Sequence, residues 1–228
     1  KPKLLVLLDQ MEPIKEVENF TPQGEKYWAE RSIEDPHKDW GEHEGTWIEG
    51  YNQSKDHPHR KLILEELEKL QPFSIVGEIG CNSGPNLELI RRRFPSVTVR
   101  GIDVSPIAVA EAQKNLPHIE LASVTKLPWD TQSIDILVSD AVLLYTGPEE
   151  IENVMREIDR VTKKAVIFVE RYDKSLSGEV RGYVWARNYP ALLEKLGFKV
   201  SVIPITEDSW PTSENWVKYG IVVVAVRL

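Results

Sequence analysis

The segment Ala165-Val166-Ile167-Phe168-Val169 offers no polar face. A strand of that composition must be covered on both sides, which a parallel sheet between two helical layers provides. The stretch 134–139, rich in β-branched residues, reads the same way. Amphipathic segments alternate with such strands. Helices are expected over 58–70 (Ile63, Leu67, Leu70 on one face), 85–94 (Leu87, Ile90, Phe94) and 106–115, the last opened by Ser105 and Pro106. Two more are expected over 149–161 (Ile151, Val154, Ile158, Val161) and 189–196, stopped by Gly197. Strands over 74–79, 97–102, 119–122, 198–205 and 219–227 bring the count to seven. The expected fold is therefore α/β: a doubly wound, mostly parallel seven-stranded sheet. No helix is expected between the final two strands, which makes the last one antiparallel.

The first strand runs into Glu78-Ile79-Gly80-Cys81-Asn82-Ser83-Gly84, and a helix follows. In doubly wound sheets a ligand sits beyond the strand ends, at the point where strand order reverses. Glycines in that turn let backbone approach the ligand, and the helix start supplies unpaired N–H groups. The second strand ends near Asp103, 23 residues after Gly80, where a carboxylate can accept two hydrogen bonds from a ribose diol. Strand, glycine turn, helix, strand and acid in this order predict a nucleoside-binding site. Asn82 stands where a dinucleotide fingerprint has its middle glycine, which disfavours NAD. The turn also lacks the Gly-Lys-Ser/Thr of a phosphate-binding P-loop.

The run from Glu78 to Leu87 resembles the first motif of class I S-adenosylmethionine-dependent methyltransferases. Gly101-Ile102-Asp103-Val104-Ser105 resembles their second-strand motif. Leu127-Pro128-Trp129 with Ser133-Ile134-Asp135, and Gly197-Phe198 with the closing strand pair, resemble the rest of the pattern. The resemblance covers residues 73–228 and implies a Rossmann-like methyltransferase fold with S-adenosyl-L-methionine as cofactor. It further implies that Glu78, Gly80, Cys81, Asn82 and Gly84 wrap the amino-acid part of the cofactor. By the same resemblance Asp103 holds the ribose, Val104 packs on adenine, and Asp140 lies near the methionine moiety. The family often has Asp where this chain has Ser123; that hydroxyl and the Val124 backbone N–H are the expected adenine contacts.

Methyl transfer from a sulfonium is an in-line displacement, so positioning and exclusion of water are the main demands. An acceptor hydroxyl or amine also needs a base. Candidate bases are Glu170 at the ligand edge and, before the first strand, His57; Tyr145, also at the ligand edge, is the catalytic candidate expected to contact or position the substrate. Arg171 is a candidate carboxylate or phosphate clamp. Residues 1–60 are polar and aromatic with little aliphatic periodicity, and read as an N-terminal lid in front of a domain over 61–228. Tyr27 and Trp28 from that lid, and Arg181 and Trp185 from the aromatic and basic stretch before the last helix, are the remaining substrate candidates.

The 228 residues carry a formal net charge of −8, which disfavours nucleic acid as partner, and an RNA acceptor ranks below a small molecule. One cysteine rules out a disulfide framework, and no dense His/Asp cluster predicts a metal. No apolar run approaches membrane-spanning length, and Leu4–Leu8 is too short for a signal-peptide core, so a cytoplasmic location is expected. The expected activity is methyl transfer to an oxygen or nitrogen of a small polar molecule. The alternative is a non-catalytic subunit that binds S-adenosylmethionine or S-adenosylhomocysteine beside a partner enzyme. Oligomeric state is not legible.

Overall fold

A computed structural model describes residues 24–35, 45–181, 184–211 and 213–228. The N-terminal segment contributes α1 (Glu25–Glu30), α2 (Trp47–Gln53) and a 3-10 turn, Ser54–Asp56; α3 (His59–Lys69) follows. The alternating part comprises β1 (Ile75–Ile79), α4 (Pro85–Arg93), β2 (Thr98–Asp103), α5 (Pro106–Ala112), β3 (Ile119–Leu121) and β4 (Ile134–Asp140). It continues with a 3-10 turn at Leu143–Tyr145, then α6 (Ile151–Val161) and β5 (Thr162–Arg171). β6 (Glu179–Arg181) and β7 (Val184–Ala186) form a small antiparallel pair of their own. The chain then runs through α7 (Tyr189–Lys195), β8 (Phe198–Pro204), α8 (Glu214–Tyr219) and β9 (Gly220–Arg227).

The seven-stranded sheet has the order β3-β2-β1-β4-β5-β9-β8. β1 pairs in parallel with both β2 and β4, so strand order reverses at β1. β9 runs against both of its neighbours, as expected. The connection before it differs from expectation: α8 lies between β8 and β9, with Ser213 accepting from the Trp216 N–H at its start. Its six residues are too few for a repeating apolar period, which is why the pattern does not show it. The β6–β7 pair was likewise not expected, because three-residue strands carry almost no alternation.

Side chains of β5 alternate between two cores, which explains its fully apolar composition. Ala165, Ile167 and Val169 face Ile63 and Leu67 of α3 and Leu87 and Ile90 of α4. Val166 and Phe168 face Val154 and Ile158 of α6 and Leu193 of α7. The ends of β1, β2, β4 and β5 therefore converge on one edge between the two helical layers. Among the described residues no helix is long and apolar enough to cross a membrane.

Phe168 is fully buried at the centre of the second core, against Tyr189. Phe168→Ala is expected to lower the unfolding free energy by about 3–5 kcal/mol. A urea titration should show this as a lower midpoint with an unchanged slope, whereas Lys199→Ala, exposed on β8, should leave the midpoint in place.

Candidate active site

β1 ends at Ile79, and the chain must turn sharply to start α4. Gly80, Asn82 and Gly84 adopt φ of +61°, +49° and +86°, a region costly for most side chains. A Cβ on Gly80 would lie 2.4 Å from Val142 Cγ2, so the turn is pressed against the loop that follows β4. Asn82 tolerates its conformation because its Oδ1 accepts from the Ser83 N–H at 2.7 Å. The Asn82 N–H donates to Asp103 Oδ2 at 2.8 Å, and the Ser105 N–H donates to Asp103 Oδ1 at 2.8 Å. Burial pushes the Asp103 carboxyl up, against the pull of these backbone donors.

A second network lies under the neighbouring strand ends. Asp140, at the end of β4, accepts at Oδ2 from His59 Nε2 (2.9 Å), Arg60 Nη1 (3.1 Å) and Asn86 Nδ2 (2.9 Å). Burial pushes the Asp140 carboxyl up, but His59 and Arg60 outweigh it and hold the group well below the usual carboxylate range. Asn86 Nδ2 also donates to Glu78 Oε1 at 2.7 Å, while its Oδ1 accepts from Arg60 Nη1 at 2.7 Å. Burial pushes the Glu78 carboxyl up to about 8, and only Asn86 and Arg60 pull the other way. Glu78 Oε2 is buried with no hydrogen-bond partner, a costly arrangement unless something cationic or donating meets it.

Both networks border one cavity of about 500 Å³. Glu78, Gly80, Cys81, Asn82, Asp103, Val104 and Val124 are among its lining residues. Two aromatic pairs line it as well. Trp28 meets Tyr145 edge to face, centroids 5.0 Å apart, and Trp210 stacks on Trp216 at 4.2 Å. Tyr51 and Arg171 also line the cavity. Trp47 is buried on α5 against Ala108 rather than on the cavity, with Arg31 4.5 Å over its ring, so α2 is seated on the sheet domain.

Several candidates from the sequence stand elsewhere. Glu170 is fully buried and does not face the cavity. Its carboxylate accepts from the Ser139 hydroxyl and from the N–H groups of Val142, Leu143 and Leu144, at 2.8–3.1 Å. Burial pushes it up to about 7, but four donors already occupy it, so it holds the loop after β4 rather than serving as an open base. His57 is also off the cavity lining. Its Nδ1 lies 2.5 Å from His59 Nδ1, and burial with His59 and Arg60 nearby pushes it down to about 4. His59 directs Nε2 at a carboxylate, so its neutral ring donates there and accepts from His57. Ser123 is turned to Glu25 (2.5 Å) and Thr125 (2.6 Å), while Val124 does line the cavity. Gly84 lies behind the turn, where a Cβ would meet Leu116 Cδ1 at 2.4 Å. Tyr27 backs Trp28 edge to face, centroids 5.2 Å apart, and Trp185 lies on β7 beside Arg187; neither lines the cavity. The Arg181 side chain lies outside the described residues.

Arg60, Asn86, Trp210 and Trp216 were missed. Asn86 sits inside the first motif and Arg60 directly follows His59, so both had a signal in their neighbours. Trp210 and Trp216, six apart, lie in the connection before β9, where no helix was expected and no motif marks them.

A family model described as a methyltransferase domain matches residues 77–169, the span from β1 to β5 that carries Glu78, Asn86, Asp103 and Asp140. A trans-aconitate 2-methyltransferase from Escherichia coli is 27% identical over 125 residues, covering 53% of this chain and 49% of that protein. The Escherichia fergusonii enzyme of the same name matches over the same extent. The chain thus spans about half the length of the curated relatives it matches. Magnesium protoporphyrin IX methyltransferase from Synechocystis, solved with bound SAM, superposes with a TM-score of 0.64 over 90% of this chain and 95% of that one at 15% identity. Its form with bound SAH gives 0.65 over 90% and 97%. At that identity the likeness speaks for the fold. Residues 77–169 thus match a methyltransferase domain, and the strand order of the whole sheet is that of the solved methyltransferases it superposes on.

Proposed function

We propose that the chain binds S-adenosyl-L-methionine at the β1–β2 side of the cavity and transfers its methyl group to an oxygen or nitrogen of a small polar molecule. The observation that carries this reading is the pairing of an unpartnered buried Glu78 Oε2 with Asp103 across the Gly80 turn, all facing one cavity. A carboxylate has about four acceptor sites. Asp103 meets the backbone N–H groups of Asn82, Ser105 and Val104 and still offers acceptor capacity to a ribose diol. Glu78 and Asp140 together suit the cationic end of the methionine moiety, and Val104 and Val124 offer apolar contact for adenine. When bound, S-adenosylmethionine supplies a methyl group already activated on a sulfonium. The chain's own residues then bind, align and exclude water: Trp28 and Tyr51 from residues 1–60, and Tyr145 from the loop after β4, line the same cavity. The acceptor in the name of the Escherichia coli relative is a small polar molecule of this kind. A cavity lined by Trp28, Tyr51, Trp210 and Trp216 besides the residues assigned to the cofactor favours an enzyme over a binding-only subunit.

Calorimetry on the purified chain should give a micromolar dissociation constant for S-adenosylhomocysteine and negligible binding of NAD. Asp103→Ala should weaken S-adenosylhomocysteine at least about tenfold in a folded protein. Comparable affinity for NAD, or an unchanged constant in the variant, would sink the assignment.

Glu78→Gln separates binding from stability. With its carboxyl raised from 4.5 to about 8, native Glu78 holds a proton that the unfolded chain has lost, so it costs stability increasingly between those pH values. The variant should melt higher than wild type by a margin that is small near pH 5 and grows up to about pH 8. It should also bind S-adenosylhomocysteine more weakly. A margin independent of pH would show that Glu78 is already ionised without ligand.

The segment 1–60 acts in this proposal as a lid. Its aromatics reach the cavity through α1 and α2, yet it has too little aliphatic surface for a core of its own. Hydrogen exchange of the amides in α1 and α2 should slow on adding S-adenosylhomocysteine, more than that of β8 and β9. Protection indifferent to ligand would make the segment constant scaffold.

A further inference from the structure

Beside Asp103 the cavity is bounded by the residues that follow β3. The Ala122 N–H donates to the Asp103 carbonyl at 3.0 Å, which fixes this stretch against the strand end that carries the ribose acid. Ala122 and Val124 line the cavity here, as does Val104 directly after Asp103. A base attached to a ribose on Asp103 has these apolar groups as its nearest cover.

Ser123, between Ala122 and Val124, has nothing left to offer that base. A hydroxyl carries one proton and two lone pairs. The Ser123 hydroxyl donates its proton to Glu25 Oε2 at 2.5 Å. It accepts from the Thr125 N–H at 3.0 Å and meets the Thr125 hydroxyl at 2.6 Å, which fills both lone pairs.

Glu25 is the group that does have capacity. It opens α1, stands 98 residues from Ser123 in the chain, and lines the same cavity. A carboxylate has about four acceptor sites, and among the described residues Ser123 supplies its one hydrogen bond. A carboxylate accepts and cannot donate. It therefore suits a purine edge that carries an amine and repels one that carries a carbonyl oxygen.

We propose that Glu25 reads the base of the cofactor: its carboxylate accepts from the exocyclic amine of adenine, so that the N-terminal segment distinguishes an amino purine from an oxo purine. This rests on the assignment of the cavity to S-adenosylmethionine. Ser123 is then a positioning residue, since its proton holds Glu25 at the cavity edge. An acid in place of Ser123 would make the contact from the sheet alone. Made from α1, the contact ties the lid to the identity of the base.

Calorimetry on the full chain tests this with two ligands, S-adenosylhomocysteine and S-inosylhomocysteine, which has an oxo group in place of the exocyclic amine. The wild-type chain should prefer S-adenosylhomocysteine at least about tenfold, because the oxo group leaves the carboxylate facing an acceptor. Glu25→Ala should weaken S-adenosylhomocysteine about tenfold and leave S-inosylhomocysteine unchanged or tighter, which removes the preference. Glu25→Gln should narrow the preference from the other side, since its amide N–H can donate to the oxo group. Glu30→Ala, exposed on the same helix, should leave both constants in place. No preference in the wild-type chain, a preference that survives Glu25→Ala, or an equal loss of both ligands in that variant would each overturn the proposal. The cofactor assignment would stand in all three cases. A wild-type chain that binds neither ligand would overturn both.

Discussion

One buried carboxylate oxygen organises the floor of this site. Asp140 Oδ2 receives His59, Arg60 and Asn86, which come from the starts of two different helices, α3 and α4. A buried charge is tolerable only when paired and fully hydrogen-bonded, so this contact dictates where both helices may begin. Arg60 is itself buried, and its remaining donors go to the Ser54 carbonyl at 2.9 Å and the Ser54 hydroxyl at 2.8 Å. The 3-10 turn at Ser54–Asp56, and α2 before it, are therefore tied to the end of β4 through one guanidinium. His59 extends the same tie to the far wall, because Trp210 stacks on its ring at 4.4 Å.

A second clamp sets the opposite side. The loop after β4 offers the N–H groups of Val142, Leu143 and Leu144 to Glu170, and the carbonyls of Leu143 and Thr146 to Arg187. Both side chains are fully buried. An irregular loop can be buried only if its backbone groups find partners, and here an acid at the end of β5 and a base directly after β7 supply them. Ala141 at φ +57° begins that loop, and Tyr145 ends its 3-10 turn facing Trp28. The aromatic wall is thus held by groups that never meet a ligand.

These two clamps explain where sequence reasoning and structure part. The strands and their order of succession were legible because β5 and β9 are apolar on both faces, and the helices because α3, α4 and α6 repeat their apolar positions. Gly80 and Asp103 were legible because turn geometry and ribose chemistry restrict residue type at positions close in the chain. Glu170 and His57 were read as bases from their place at strand and helix ends, and that place is right. The partners of Glu170 lie at Ser139 and Val142–Leu144, some thirty residues away and unmarked by any local pattern, and the neighbour of His57, His59, is itself turned to the distant Asp140.

The sequence by itself determined the class of fold, the glycine turn at the reversal of strand order and the acid that follows it, since each follows from residue type within a few turns of chain. Only the tertiary structure decided which ionisable groups face the cavity. Glu78 and Asp140 are both acids at strand ends, yet burial raises the first and His59 with Arg60 lowers the second. That difference arises from desolvation and from charges brought close by folding, across separations such as the 80 residues between Arg60 and Asp140.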